Sequence, residues 1–202
     1  MNRTSLARTV APAASPVTVA QAKEQLRITA SETADESMIE RHIAAATDWV
    51  ERELGRVLVQ QTWALKLDGF PRACGDRGRF IELPKIPAQS VTSITYVDVN
   101  GATQTLAVDQ YTVHADDWQP FVAEAYGVTW PSTRCQPAAV TVTFVAGYPP
   151  SGVSVDANIP AAIKQAILLH VQGQYDNLQA AEQAALERAL RNLLNPYRVR
   201  AL

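Results

Sequence analysis

Ile39, Ile43, Ala46, Val50 and Leu54 follow one another at three- and four-residue intervals, which places them on one face of a helix. Met38, His42, Ala45 and Trp49 widen that stripe, and Glu40, Arg41, Asp48, Glu51 and Arg52 fill much of the remainder. The spacing predicts a helix over 34–54, opened by a capping-box pair, Thr33 and Glu36, and closed by Gly55 at a position that favours positive φ. A shorter helix is predicted over 19–27, with Thr18 and Gln21 in the same capping-box relation. After Gly55 the period changes to two. Val57, Val59, Trp63, Leu65 and Leu67 alternate with Gln60, Thr62, Lys66 and Asp68, the pattern of a half-buried strand over 57–67. A loop follows over 69–79, then a short strand over 80–83 stopped by Pro84 and Pro87. A strand over 91–99 meets Asn100-Gly101, which predicts a two-residue hairpin with both turn positions at positive φ and a return strand to about 108. Tyr111–His114, Phe121–Ala123 and 139–147 read as further strands, and the Pro- and Gly-bearing stretch 148–152 ends the β region.

The helical period then returns. Ile163, Ile167 and Val171, with Ala166 and His170 beside them, predict a helix over 160–175, with Asn158 and Pro160 at cap and first-turn positions. A last helix is predicted over 178–194, with Leu186, Ala189, Leu190 and Leu193 as its apolar stripe and Glu187–Arg191 as a favourable pair one turn apart. Asn195-Pro196 stops it. The fold class is therefore α+β: a small helical bundle of about four helices, with an antiparallel β domain inserted between helices 2 and 3. The expected divisions are a flexible N-terminal arm over 1–15, a helical domain over 16–56 and 153–195, an inserted β domain over 57–152, and an extended C-terminal tail over 196–202.

Composition narrows the function. Eighteen Lys and Arg against twenty Asp and Glu leave a net charge of −2, mixed in sign along the chain, which is not the basic balance of a nucleic-acid-binding surface. No stretch approaches the roughly 18 apolar residues of a membrane span, and Arg3 and Arg8 flank no signal-peptide core, so secretion by the usual route and membrane anchoring are disfavoured. Cys74 and Cys135 form no metal-like spacing; two reduced thiols in a cytosolic product is the simpler reading than a disulfide.

Catalytic and metal motifs are missing. His42, His114 and His170 have no paired spacing, and two of them lie beside apolar helix stripes, so they read as residues at the edge of a core. No GxSxG elbow occurs. The loop at 74–80 lacks the spacing of a phosphate cradle. Its Arg77 and Arg79, with Arg72 just before it, are candidates for contact with a phosphate or an acidic partner, against the simpler reading of a solvated loop. Asp116-Asp117 more simply face water than a cation. No catalytic residue, metal ligand or cofactor is assigned. Trp49 and Trp63 sit on apolar faces; Trp118 and Trp130 leave an opening for carbohydrate stacking.

The order of phrases resembles a known family. PVTVAQAKEQLRI at 16–28, an acidic residue at Asp35, a long helix ending TDWVERELGR, then QQTWALKLDGFPR, IELPKIPAQSVTSITYVDVNG, VTVTFVAGYP, IPAAIKQAILLHVQGQYDN and LLNPYR resemble the head–tail connector (adaptor) proteins of tailed bacteriophages, in the longer branch with a β insertion. Gene transfer agents carry similar adaptors. The resemblance spans about 16–198. It departs after Tyr175, where DNLQAAEQ stands in place of an arginine-bearing segment, and the first 15 residues have no counterpart.

The resemblance implies a structural subunit rather than an enzyme. Such adaptors, made in the bacterial host cytoplasm, assemble in the virion neck as a homo-oligomeric ring of about twelve copies beneath the portal protein. They extend the channel through which double-stranded DNA passes without sequence-specific binding, and they dock the stopper or tail-completion protein. The family's portal-binding C-terminal segment, carried onto this chain, falls on Tyr197, Arg198 and Arg200. The near-neutral charge suits a conduit that must not hold phosphates. Two alternatives stand beside this reading: another neck component, a stopper or tail-completion protein, and a carbohydrate- or protein-binding β module that would display Trp118 and Trp130 in a groove.

Overall fold

The structure, a computed structural model, describes residues 4–71, 79–116, 118–150 and 158–199. The chain divides into two compact units, Met1–Pro12 with Gln60–Gly147, and Ala13–Val59 with Tyr148–Leu202. The fold is α+β, and apart from one N-terminal strand the β region lies between the second and third helices.

The helical unit holds α1 (Val19–Leu26), α2 (Glu36–Leu54), α3 (Ala161–Tyr175) and α4 (Ala180–Leu194). The predicted stripe of α2 is its buried face: Ile39, Ile43, Ala46, Val50 and Leu54. α3 packs against each of the other three helices, which is why it carries apolar residues around so much of its circumference. Gly173 lets α4 approach closely, and a Cβ there would have to push the end of the Leu186 side chain aside. In α4 the buried positions are Leu190 and Leu194, with Leu186 half-buried; Ala189 is exposed and Leu193 is 37% exposed. The stripe is thus rotated from the predicted one, because the alanines of this helix give no apolar face strong enough to fix its rotation from sequence.

One predicted capping box forms and one does not. Gln21 N–H donates to Thr18 Oγ1 at 3.2 Å and Thr18 N–H donates to Gln21 Oε1 at 2.8 Å. At α2 the helix starts after Asp35 with no side-chain cap, because the Glu36 carboxylate is held 2.6 Å from Lys23 Nζ instead of reaching back to Thr33. Asn158 does not cap α3 either; its Nδ2 donates to the Pro149 carbonyl at 2.8 Å, and Pro160 immediately precedes the helix. Gly55, at φ +67°, ends α2 as expected.

The β unit holds β1 (Thr4–Val10), β2 (Gln61–Leu67), β3 (Phe80–Glu82), β4 (Ala88–Val97), β5 (Thr103–Thr105), β6 (Tyr111–His114), β7 (Phe121–Glu124) and β8 (Val140–Ala146). They make a five-stranded antiparallel sheet in the order β1-β2-β8-β4-β5 and a three-stranded one in the order β3-β7-β6. Both sheets feed one core, with Leu65, Ile94, Val142 and Phe144 from the first and Ile81, Val122 and Tyr111 from the second. In β8 the alternation of the sequence is reproduced as strict alternation of burial.

Three expectations are corrected. Residues 4–10, expected within a flexible arm, form β1 and pair with β2 from Thr4↔Leu67 to Val10↔Thr62, so the N-terminal strand satisfies an edge of β2 that the inserted strands leave open. Val57, Leu58 and Val59, expected to begin the strand, are buried consecutively outside it. Leu58 and Val59 join the core of the helical unit, which takes apolar residues of either parity. The hairpin is not a two-residue turn. Gly101 N–H donates to the Asp98 carbonyl at 3.0 Å and Asp98 N–H to the Ala102 carbonyl at 2.9 Å, so the loop is Val99-Asn100-Gly101, with only Gly101 at positive φ. Asp98 organises it: its carboxylate accepts from Asn100 N–H, Ala102 N–H and Gln104 Nε2. The Gln104 bond, ahead of the backbone ones, holds the Asp98 carboxyl below the usual carboxylate range.

Candidate partner interface

The C-terminal segment expected to be an extended tail is folded back onto α2 as far as Val199. Asn195–Tyr197 form a single 3₁₀ turn. Val199 N–H donates to the Leu54 carbonyl at 2.9 Å, and Arg56, itself buried, donates through Nε to the Tyr197 carbonyl at 2.8 Å. Tyr197 packs on the helical core. Glu53, near the end of the same helix, receives both Arg191 at 3.3 Å and Arg198 at 3.5 Å. The physical logic is that of a helix C-terminus, whose free carbonyls take donors from the following chain. Of the three predicted C-terminal residues, Tyr197 and Arg198 therefore lie together on the helical unit, Tyr197 half-buried and the Arg198 side chain 55% exposed. Arg200 lies outside the described residues.

The second residue set, from the loop, is described only at Arg79. Arg72 and Arg77 lie outside the described residues, as do Cys74 and Asp117. The Arg79 side chain is 45% exposed, with Nη1 3.4 Å from Glu124 Oε2, and its backbone carbonyl accepts from Trp130 Nε1 at 2.9 Å. Trp130 lies flat on Phe70, ring centroids 4.8 Å apart and planes at 5°, so one face of the indole is already covered. Trp118 is 50% exposed and is not part of the groove that Trp130 lines with Phe70, Pro71 and Thr133. Among the described residues, Trp118 and Trp130 do not line one groove together. Among the described residues no three His, Cys, Asp or Glu side chains converge as metal ligands.

Lys23 is the polar residue that sequence reasoning passed over. It is 5% exposed, and its Nζ donates to the carbonyls of Ala30 and Glu32 and to Glu36 Oε1. One ammonium thereby ties the whole α1–α2 connection to α1. Tyr175 adds a second tie, donating its hydroxyl to Asp35 Oδ2 at 3.0 Å; that bond raises the Tyr175 pKa. His42 Nδ1 lies 3.0 Å from Gln174 Oε1.

His170 sits inside the core rather than at its edge, 4% exposed, its ring 4.9 Å from that of Trp49 and its Nδ1 without a hydrogen-bond partner. Burial pushes its pKa below the ordinary 6.5, with the Glu187 carboxylate pulling weakly the other way. On acidification the unfolded chain therefore takes up this proton first. His170 leaves stability unaffected above about pH 6.5 and lowers it as the pH falls through the depressed folded-state value. The melting temperature is expected to drop as the pH falls below about 6.5 in the wild-type chain and to drop less in His170→Leu. Parallel curves for the two proteins would refute this.

Comparison with known proteins agrees with the helical frame and the whole fold. Residues 16–111 match the family described as phage gp6-like head-tail connector protein. No curated protein sequence matches the chain. Among solved structures, a chain in the neck of an empty gene transfer agent (GTA) particle computed with C6 symmetry is 21% identical, with a TM-score of 0.78 over 98% of this chain and 97% of that one. A chain of the virion of a native GTA particle is 24% identical, with a TM-score of 0.76 over 98% and 96%. A chain in the neck of a native GTA particle computed with C12 symmetry is 23% identical, with a TM-score of 0.68 over 98% and 97%. At these identities the likeness is one of fold. Residues 16–111, which build the first two helices and the strands as far as the start of β6, are thus similar to the phage gp6-like head-tail connector family.

Proposed function

We propose that this chain is the adaptor subunit of a phage or gene-transfer-agent neck: it joins its own copies in a ring of about twelve beneath the portal, extends the DNA channel and docks the stopper or tail-completion protein. It acts by binding and performs no chemistry of its own. The observation that carries this reading is the shared fold, over 98% of the chain, with a chain in a particle neck. The absence of a basic balance supports passage of DNA without retention, because counterion release on phosphate contact would oppose ejection. The C-terminal residues are the portal contact: Arg198 is presented on the exposed side of the helical unit, and Arg200 follows it.

Native mass spectrometry of the purified chain, alone and mixed with the portal ring of the same genome, tests the role. About twelve copies added per portal is the expected result. No addition well above micromolar concentration would overturn it and favour a stopper or a β module. Arg198→Ala, with residues 200–202 removed, should weaken portal binding roughly tenfold or more. An exposed ion pair such as Arg198–Glu53 is worth about 0–1 kcal/mol, so the fold should hold, as a denaturation curve can check.

A further inference from the structure

Among the described residues the five-stranded sheet ends in two open and dissimilar edges. At one end β1 offers seven residues, TSLARTV, of which only Leu6 is more than marginally buried. At the other end β5, TQT, is exposed at all three positions. An edge of seven residues is long enough to recruit another strand, and proteins that keep such an edge free in solution blunt it with lysine, proline or inward charge. β1 has none of these; its devices are a shift of register between Arg8 and Val10 and one arginine. The Arg8 guanidinium lies 3.4 Å from Gln61 Oε1 on the adjacent strand. The β5 edge carries two threonines and a glutamine whose Nε2 is bonded to Asp98, and its three-residue length is its device against indiscriminate pairing.

We infer that β1 of one copy pairs with β5 of the next, so that the five-stranded sheets join edge to edge around the ring. The inference rests on the adaptor reading and specifies its subunit contact. The occupant is a second copy because one chain displays both halves of the contact, and the halves differ. Unlike patches pair head to tail, the arrangement that closes by rotation into a ring, whereas a two-fold dimer would pair β1 with β1. Chemistry at the two edges fits. Thr4 and Thr9 on β1 and Thr103 and Thr105 on β5 are residues that hydrogen-bond across strands, and β5 sets no positive charge against Arg8 of β1.

The test uses the full chain carrying Cys74→Ser and Cys135→Ser, co-assembled with the portal ring. Ala7→Cys with Gln104→Cys, and Arg8→Cys with Gln104→Cys, present either face of β1. After treatment with a short bis-maleimide, at least one double variant should give a ladder of covalently linked copies on a denaturing gel, and the single variants should give none. If both double variants are incorporated and neither gives a ladder, or if Ala7→Cys alone gives linked pairs, edge pairing is overturned while the adaptor reading stands. If the parent protein does not join the portal, both fall.

Discussion

Phe144→Ala should cost the β unit about 3–5 kcal/mol, the range for deleting an aromatic ring from a packed core. Phe144 is fully buried on β8, the middle strand of the larger sheet, directly opposite Trp63 on β2 and Val91 on β4. Its ring reaches the core that both sheets share, so the void cannot be filled by moving a surface loop. Domains are stable by only about 5–15 kcal/mol, so the variant should lose a large part of the unit's stability. Urea denaturation followed by tryptophan fluorescence would show it as a fall in midpoint with little change in slope. Phe144→Leu, which leaves a smaller cavity, should recover more than half. A loss under about 1 kcal/mol in the alanine variant would mean that the core closes over the gap, contrary to the packing described.

Lys23→Met is the second large effect expected, about 2–3 kcal/mol. Methionine keeps the length of the stem and removes only the ammonium. What is lost is a set of charge-assisted bonds to the carbonyls of Ala30 and Glu32 and to the Glu36 carboxylate. Glu36 is 44% exposed and recovers water, which keeps the cost below that of breaking a fully buried ion pair. The carbonyls lose their donor in a partly enclosed place, and the α1–α2 connection loses its common anchor. Amide hydrogen exchange over 27–36 should speed up well before that of α3. Arginine should not restore protection, since a planar guanidinium cannot occupy the site of a compact ammonium. Unchanged exchange in that connection would show that the ammonium is not what holds it.

Helix faces were the most legible part of the chain. The stripe of α2 and the capping box of α1 could be read directly, because side-chain direction repeats every 3.6 residues whatever the partner. The second capping box has the same spelling as the first and does not form. Glu36 has a stronger suitor in Lys23, thirteen residues away and on another helix. The only sequence trace of Lys23 was its place in the phrase PVTVAQAKEQLRI shared with head–tail connectors; Ala22 and Lys23 of that phrase are both buried. In α4 the expected stripe included Ala189 and Leu193, which are exposed; packing against α3 instead buries Leu190 and Leu194. The loop arginines were readable as candidate contacts for a phosphate or an acidic partner, but the exposed pair of Arg79 with Glu124, 45 residues on, was not.

Local pattern thus carried the element types, their order, the α+β class and the family phrases. Contacts between distant residues decided the rest. The first strand found its partner 53 residues away, and the C-terminal segment found the end of α2 through a bond spanning 141 residues. Neither could be read locally, because a short polar strand and an uncapped tail look alike in sequence whether they are free or docked. Their state depends on whether an open strand edge or a helix C-terminus stands nearby with unsatisfied backbone groups, and that proximity exists only once both units have folded.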